Sequence, residues 1–177
     1  MRLQNQLDSQ YPQPQHMIEF TYDLIKNNKL TFEKSNNDHR VVTFHDSCNV
    51  ARGSNMGDIE NGQFILPREV IKAACNNFID MPKNTIKSST FCCGGGAGLL
   101  TDDLIDLRIK GAKPRMHALR KSEQESGVNT LAAICAICKS QFSKVLPNYD
   151  FDPYMVVSVH QLVSDAIVLS ESLKQKD

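Results

Sequence analysis

Lysine and arginine together number 20, as do aspartate and glutamate, so the 177-residue chain has no formal net charge. The missing charge bias removes the usual signature of nucleic-acid or anionic-membrane binding. No apolar run approaches the ~18 residues that a bilayer span needs. The longest, Leu131 to Cys138, has eight. The N-terminus also lacks the charged-then-apolar layout of a secretory signal. The expected location is therefore cytoplasmic, where cysteine serves metal ligation or redox chemistry more often than structural disulfides. A hydrophobic content of 41% over this length suits one domain with its own core.

What the chain does have is cysteine in a pattern: Cys48, the pair Cys92-Cys93 followed by Gly94, and Cys135-Ala136-Ile137-Cys138. Four cysteines suffice for a tetrahedral zinc site. A fifth, with two of them adjacent, points to a multinuclear centre. Thiolates are soft ligands that select zinc, copper(I) or iron–sulfur clusters. Cys-x-x-Cys alone is common to zinc sites, redox thiols and clusters. The adjacent pair is more telling, because neighbouring sulfurs on a tight turn can reach different metal atoms. Gly94, Gly95 and Gly96 leave room for inorganic sulfide and offer amide hydrogens to its charge. Cys75 stands apart from the pattern and is expected to pack as a small hydrophobe.

The periodicity places these residues on an α/β fold. Residues 1–16, with five glutamines and two prolines, read as a flexible lead-in to a single domain over 17–177. Met17 to Ile25 fits a helix. Val41–Phe44, Thr85–Phe91, Val128–Ile134 and Met155–Val159 read as strands, with helices expected over Arg68–Phe78, from Thr101 onward with a break near Gly111 and Pro114, from Cys138 to before Pro147, and over Gln161–Leu173. Strands alternating with helices predict a mostly parallel sheet flanked by helices. Sites in such sheets lie beyond the carboxyl ends of the strands. Cys48, Cys92-Cys93 and Cys135 each follow an expected strand, so one sheet edge would gather them.

Taken together, these segments resemble the cysteine-rich CCG domain family, whose pattern is Cys, a long gap, Cys-Cys-Gly, a long gap, then Cys-x-x-Cys. The segments Thr43-Phe-His-Asp-Ser-Cys48-Asn, Pro67-Arg-Glu, Phe91-Cys-Cys-Gly-Gly-Gly-Ala-Gly98 and Cys135-Ala-Ile-Cys138 are most similar to the heterodisulfide reductase-like DsrK branch, associated with dissimilatory sulfite reduction. The resemblance implies that Cys48, Cys92, Cys93, Cys135 and Cys138 hold a noncubane [4Fe-4S] cluster at which a disulfide or trisulfide is cleaved reductively. It implies three partners: a ferredoxin-like iron–sulfur subunit or domain, a membrane quinone-linked subunit, and a small sulfur carrier of DsrC type. The chain would then sit peripherally on the inner face of the membrane through those partners. The family's preceding ferredoxin-like Cys-x-x-Cys-x-x-Cys segments do not occur in this sequence, so electrons are expected from another chain, or the chain is a piece of a longer gene product. Relatives that oxidise hydroxy acids or glycerol phosphate supply an alternative, an electron-transfer relay, and a zinc-stabilised interaction module is a second.

Two further features complete the reading. His45 precedes Cys48 closely enough to donate a proton to a departing thiolate or a hydrogen bond to the centre. Between Arg108 and Lys121 lie six Lys/Arg and no Asp/Glu, a local patch for an acidic partner or simply a solvated helix face.

Overall fold

Three short parallel strands form the middle layer: β1 (Val42–His45), β2 (Thr130–Ala133) and β3 (Val156–Ser158), in the order β1-β2-β3. Val42 pairs with Thr130 and His45 with Ala133, while Leu131 pairs with Val156 and Ala133 with Ser158. Every residue of β1 and β2 is buried, the mark of a parallel sheet covered on both faces. This computed structural model describes residues 14–57, 59–98 and 101–169. Most of the expected lead-in, residues 1–13, and the tail from 170 lie outside them.

Among the described residues, six α-helices surround the strands: α1 (Met17–Lys26), α2 (Cys48–Gly53), α3 (Gly62–Ala74), α4 (Ile105–Ser126), α5 (Ala136–Val145) and α6 (Val159–Ala166). Side chains alternate across a strand, and the core divides accordingly. Val42, Phe44 and Ala132 pack with Ile18, Val70, Ile71, Ala74, Cys75 and Leu162 from α1, α3 and α6. Leu131 packs on the other face with Met116, Leu119, Phe142 and Val145 from α4 and α5. Burying each such large side chain is worth ~1.5–3 kcal/mol. No helix among the described residues is long and apolar enough to cross a membrane.

Local chemistry sets the element ends. At α1, His16 Nδ1 accepts from the Ile18 amide at 3.1 Å, while Glu19 accepts from the His16 amide at 2.5 Å, closing a capping box. The segment 85–91, expected as a strand, instead forms turns at Lys83–Thr85 and Lys87–Ser89. Its β-branched residues gave the strand signal, but its polar groups go elsewhere: the Lys87 amide and the Thr90 hydroxyl both donate to Asp46, at 2.7 Å each. The sheet therefore has three strands, and Cys92-Cys93 follows a turn-rich segment rather than a strand end.

Three helices also differ from expectation. α3 starts at Gly62, five residues before Pro67, which lies inside it. Glycine is needed at 62, because a Cβ there would sit 1.9 Å from the Met56 carbonyl oxygen. Gly62 is thus a close-packing device. α4 runs unbroken through Gly111 and Pro114. Pro114 is exposed, so the carbonyl it leaves without a helix partner can turn to water. α6 ends at Ala166, short of the expected Leu173, because Val168 donates to the Thr31 carbonyl at 2.8 Å and Ile167 bridges Phe32.

Candidate metal centre

His45 ends β1, and strand alternation turns it toward α4 and α5. There its ring meets two thiols: a ring nitrogen of His45, Cys93 Sγ and Cys138 Sγ all lie within 4.8 Å of one another, and all three residues are buried. Cys138 sits in the first turn of α5, and Cys135 is that helix's N-cap, with Sγ accepting from the Cys138 amide at 3.4 Å. In the glycine turn, Cys92 Sγ accepts from the Gly94 amide at 3.3 Å. Amide donors of this kind favour the thiolate.

Cys92 and Cys135 are half-buried beside the enclosed pair. Cys48 opens α2 and is half-buried too. It follows Ser47, whose hydroxyl oxygen accepts from the Cys138 thiol at 3.7 Å. Cys48, Cys92 and Cys135 are outside the three-group cluster of His45, Cys93 and Cys138. Cys75 lies on the opposite face of the sheet, 3% exposed in the α1–α3–α6 core. Burial raises its thiol pKa to about 11.

The glycines differ in what holds them. Gly94 has φ +89°, and a Cβ there would come within 2.2 Å of the Arg108 carbonyl oxygen on α4. At Gly95 a Cβ would stand 3.3 Å from Cys93 Sγ and 3.7 Å from Gln141 Cγ. The amides of Gly94 and Gly96 favour the Cys92 thiolate, and that of Gly95 the Cys93 thiolate. Beside them a cleft of about 230 Å³ is lined by Cys92, Gly94, Gly96, Leu104, Leu107 and Arg108, among others.

Electrostatics set the protonation of the metal-free centre. The Cys92 thiol is pushed up to about 12 by its hydrogen bond with Cys93 and by burial. Cys93 is also pushed up to about 12, by its hydrogen bond with Cys138 and by burial, partly countered by Cys92. Metal binding at these thiols would release protons. His45 is held well below the usual histidine range by burial and then by Arg115, so it is neutral. Neither ring nitrogen has a hydrogen-bond partner. Each unpartnered buried polar group costs ~1–3 kcal/mol.

Sequence reasoning missed a layer of buried polar residues. Arg115 is fully buried and donates to the Thr85 carbonyl at 2.5 Å, to Thr90 Oγ1 at 2.8 Å and to Met81 Sδ at 2.8 Å. Burial lowers its pKa to about 10 against the pull of Asp46 and of the Cys138, Cys93 and Cys92 thiols. It therefore faces the cysteines as a cation. Arg68 donates to both Asp46 carboxylate oxygens at 2.8 Å and to Asp80 at 3.0 Å, which anchors the His45–Cys48 turn. The spacing Ala112, Arg115, Met116, Leu119 is the sequence signal for the burial of Arg115, since it sets that residue inside an apolar stripe. Of the six cations from Arg108 to Lys121, Lys110, Lys113 and Lys121 are exposed. Arg108 and Arg115 are buried, and Arg120 is engaged with Glu123, the Tyr149 carbonyl and the Phe151 ring.

Residues 42–143 match the "Cysteine-rich domain" family CCG. The chain belongs to this family. It is 44% identical over 155 residues to the Hdr-like menaquinol oxidoreductase iron-sulfur subunit 2 of Archaeoglobus fulgidus, covering 88% of this chain and 26% of that protein. It is 30% identical over 155 residues to a subunit of the dihydromethanophenazine:CoB–CoM heterodisulfide reductase of Methanosarcina mazei, covering 87% and 34%. A probable iron-sulfur-binding oxidoreductase, FadF, of Bacillus subtilis matches at 33% over 86 residues, or 48% and 11%. The chain thus spans about a quarter to a third of the length of the first two relatives. No solved structure matches significantly.

Proposed function

We propose that residues 17–177 form an iron–sulfur oxidoreductase module of heterodisulfide reductase type, with Cys48, Cys92, Cys93, Cys135 and Cys138 holding a noncubane [4Fe-4S] cluster. The observation that carries this reading is the enclosed group of Cys93, Cys138 and His45, with both His45 nitrogens unpartnered. Sulfur-rich donors suit iron–sulfur clusters, and a buried imidazole without a partner suits a site that awaits a group. The printed names of the relatives point to the same chemistry.

When bound, such a cluster supplies single electrons and an iron to which a sulfur can attach. The overall reaction takes a disulfide or trisulfide, two electrons and two protons to thiol or persulfide products. The protein's part is to position and to balance charge. Arg115 sets a positive charge opposite the thiolates, and the glycine amides donate to them. His45, neutral through burial, acts as a hydrogen-bond donor to the centre. The apolar cleft at Cys92 gives a sulfur substrate its approach, with Leu104 and Leu107 flanking the path. Electrons come from a ferredoxin-like subunit or domain tied to a quinone-linked membrane subunit, in keeping with the menaquinol oxidoreductase relatives. A DsrC-type carrier, as in the DsrK branch, presents the substrate sulfur.

Iron, zinc and acid-labile sulfide are measured on anaerobically purified protein. The proposal expects about four iron and four sulfide per chain; zinc without sulfide rejects it. A disulfide- or persulfide-bearing peptide is then added to the reduced protein. A change in the paramagnetic spectrum is expected, and an unchanged spectrum supports an electron relay instead.

A further inference from the structure

α5 presents more than thiols to the centre. Cys138, Gln141 and Phe142 fall at positions i, i+3 and i+4, one face of the helix. Phe142 sets its ring edge-on to His45, with centroids 4.8 Å apart at 87°. Gln141, between them in sequence, is fully buried, and neither its Nε2 nor its Oε1 has any hydrogen-bond partner. A Cβ at Gly95 would stand 3.3 Å from Cys93 Sγ, 3.3 Å from Ile137 Cγ2 and 3.7 Å from Gln141 Cγ, so the glycine turn packs closely between Cys93 and the Gln141 stem. An unpartnered buried amide is costly, since it forfeits its water without replacement. A leucine or methionine would fill the same space at no such cost.

We propose that Gln141 is a positioning residue whose side-chain N–H donates a hydrogen bond to a sulfur of the cluster and raises its reduction potential. This rests on the cluster reading above. Sulfur carries no proton to give, so Nε2 rather than Oε1 must face it. Reduction adds negative charge to the cluster, and a donor at sulfur stabilises the reduced form more than the oxidised one. A neutral imidazole has a single N–H, so His45 can donate one such bond and the Gln141 amide is a second donor.

Gln141→Met keeps most of the volume and removes the donor. The test compares metal-free thermal melting, iron and sulfide loading, and the midpoint potential of loaded protein. The proposal expects a metal-free melting temperature equal to or above that of the wild type, because no native bond is lost. It also expects a midpoint potential shifted to more negative values, and loss of an exchangeable-proton coupling in the paramagnetic spectrum. Lowered metal-free melting, or loaded protein with both potential and coupling unmoved, overturns it. If Gln141→Met loads no cluster while its metal-free melting holds, Gln141→Asn, whose amide is shorter by one methylene, is read the same way. Failure of both to load with intact metal-free melting means that the amide serves the cluster and supports the proposal. Wild-type protein that takes up no iron and sulfide sinks the cluster reading itself, an outcome separate from any result on Gln141.

Discussion

The two faces of the sheet bury cysteine in opposite ways. On the α1–α3–α6 face, Cys75 sits among Val42, Phe44, Ile71 and Leu162, and hydrophobic packing completes the layer. On the α4–α5 face, Cys93 and Cys138 lie with His45, Gln141 and Arg115, and each of these last three has at least one buried nitrogen without a partner. All three cysteines are 3% exposed. Burial alone therefore does not distinguish these thiols; the hydrogen-bond state of their neighbours does. Apart from Gln63 Oε1 on α3, the buried side-chain polar atoms without a partner lie on β1, α4 and α5, so the second face is the electrostatically incomplete one.

The comparison breaks most sharply at the thiols. Cys93→Ser should abolish cluster loading, because hydroxyl is a harder and poorer ligand for iron. Cys75→Ser should load as the wild type does. Iron and sulfide analysis of the two reconstituted variants checks this, and equal loss in both would erase the distinction between the faces.

Asp46→Asn tests what holds the centre's turn in place. Arg68 is a buried cation, and its hydrogen bonds to Asp46 and Asp80 raise its pKa against the effect of burial. Neutralising Asp46 should cost ~3–5 kcal/mol of stability in denaturant unfolding of the metal-free protein. Ile71→Ala, on the self-sufficient face, should cost ~2–5 kcal/mol, by the same amount with and without the cluster. A cluster-dependent loss there would mean that the faces are coupled. Cys75→Ala should cost least, ~1 kcal/mol, as expected for removing a small apolar group.

Part of this contrast was legible before any coordinates. β1 and β2 announced themselves through Val41–Phe44 and Val128–Ile134, since apolar runs in a doubly covered sheet need no periodicity. The cysteine pattern of the family was equally plain, because cysteine spacing is a sequence property. The turns at 83–89 were not, because the Lys87 amide and the neighbouring Thr90 hydroxyl bond to Asp46, a tertiary partner that no local pattern reveals. Gly111 read as a break, yet α4 runs through it, and Gly62, set against the Met56 carbonyl, lies in the first turn of α3. Charge misled in the same way: six cations between Arg108 and Lys121 look solvated, but Arg108 and Arg115 are interior. Gln141 is concealed for the same reason, as a buried amide on an apolar stripe with no hydrogen-bond partner.

Amide hydrogen exchange on metal-free and reconstituted protein tests the central contrast most directly. If iron and sulfide complete the α4–α5 face, exchange should slow on reconstitution across residues 90–96 and 135–142 and stay unchanged in α3 and α6. Equal protection on both faces, or no change at the cysteine segments, would contradict the account.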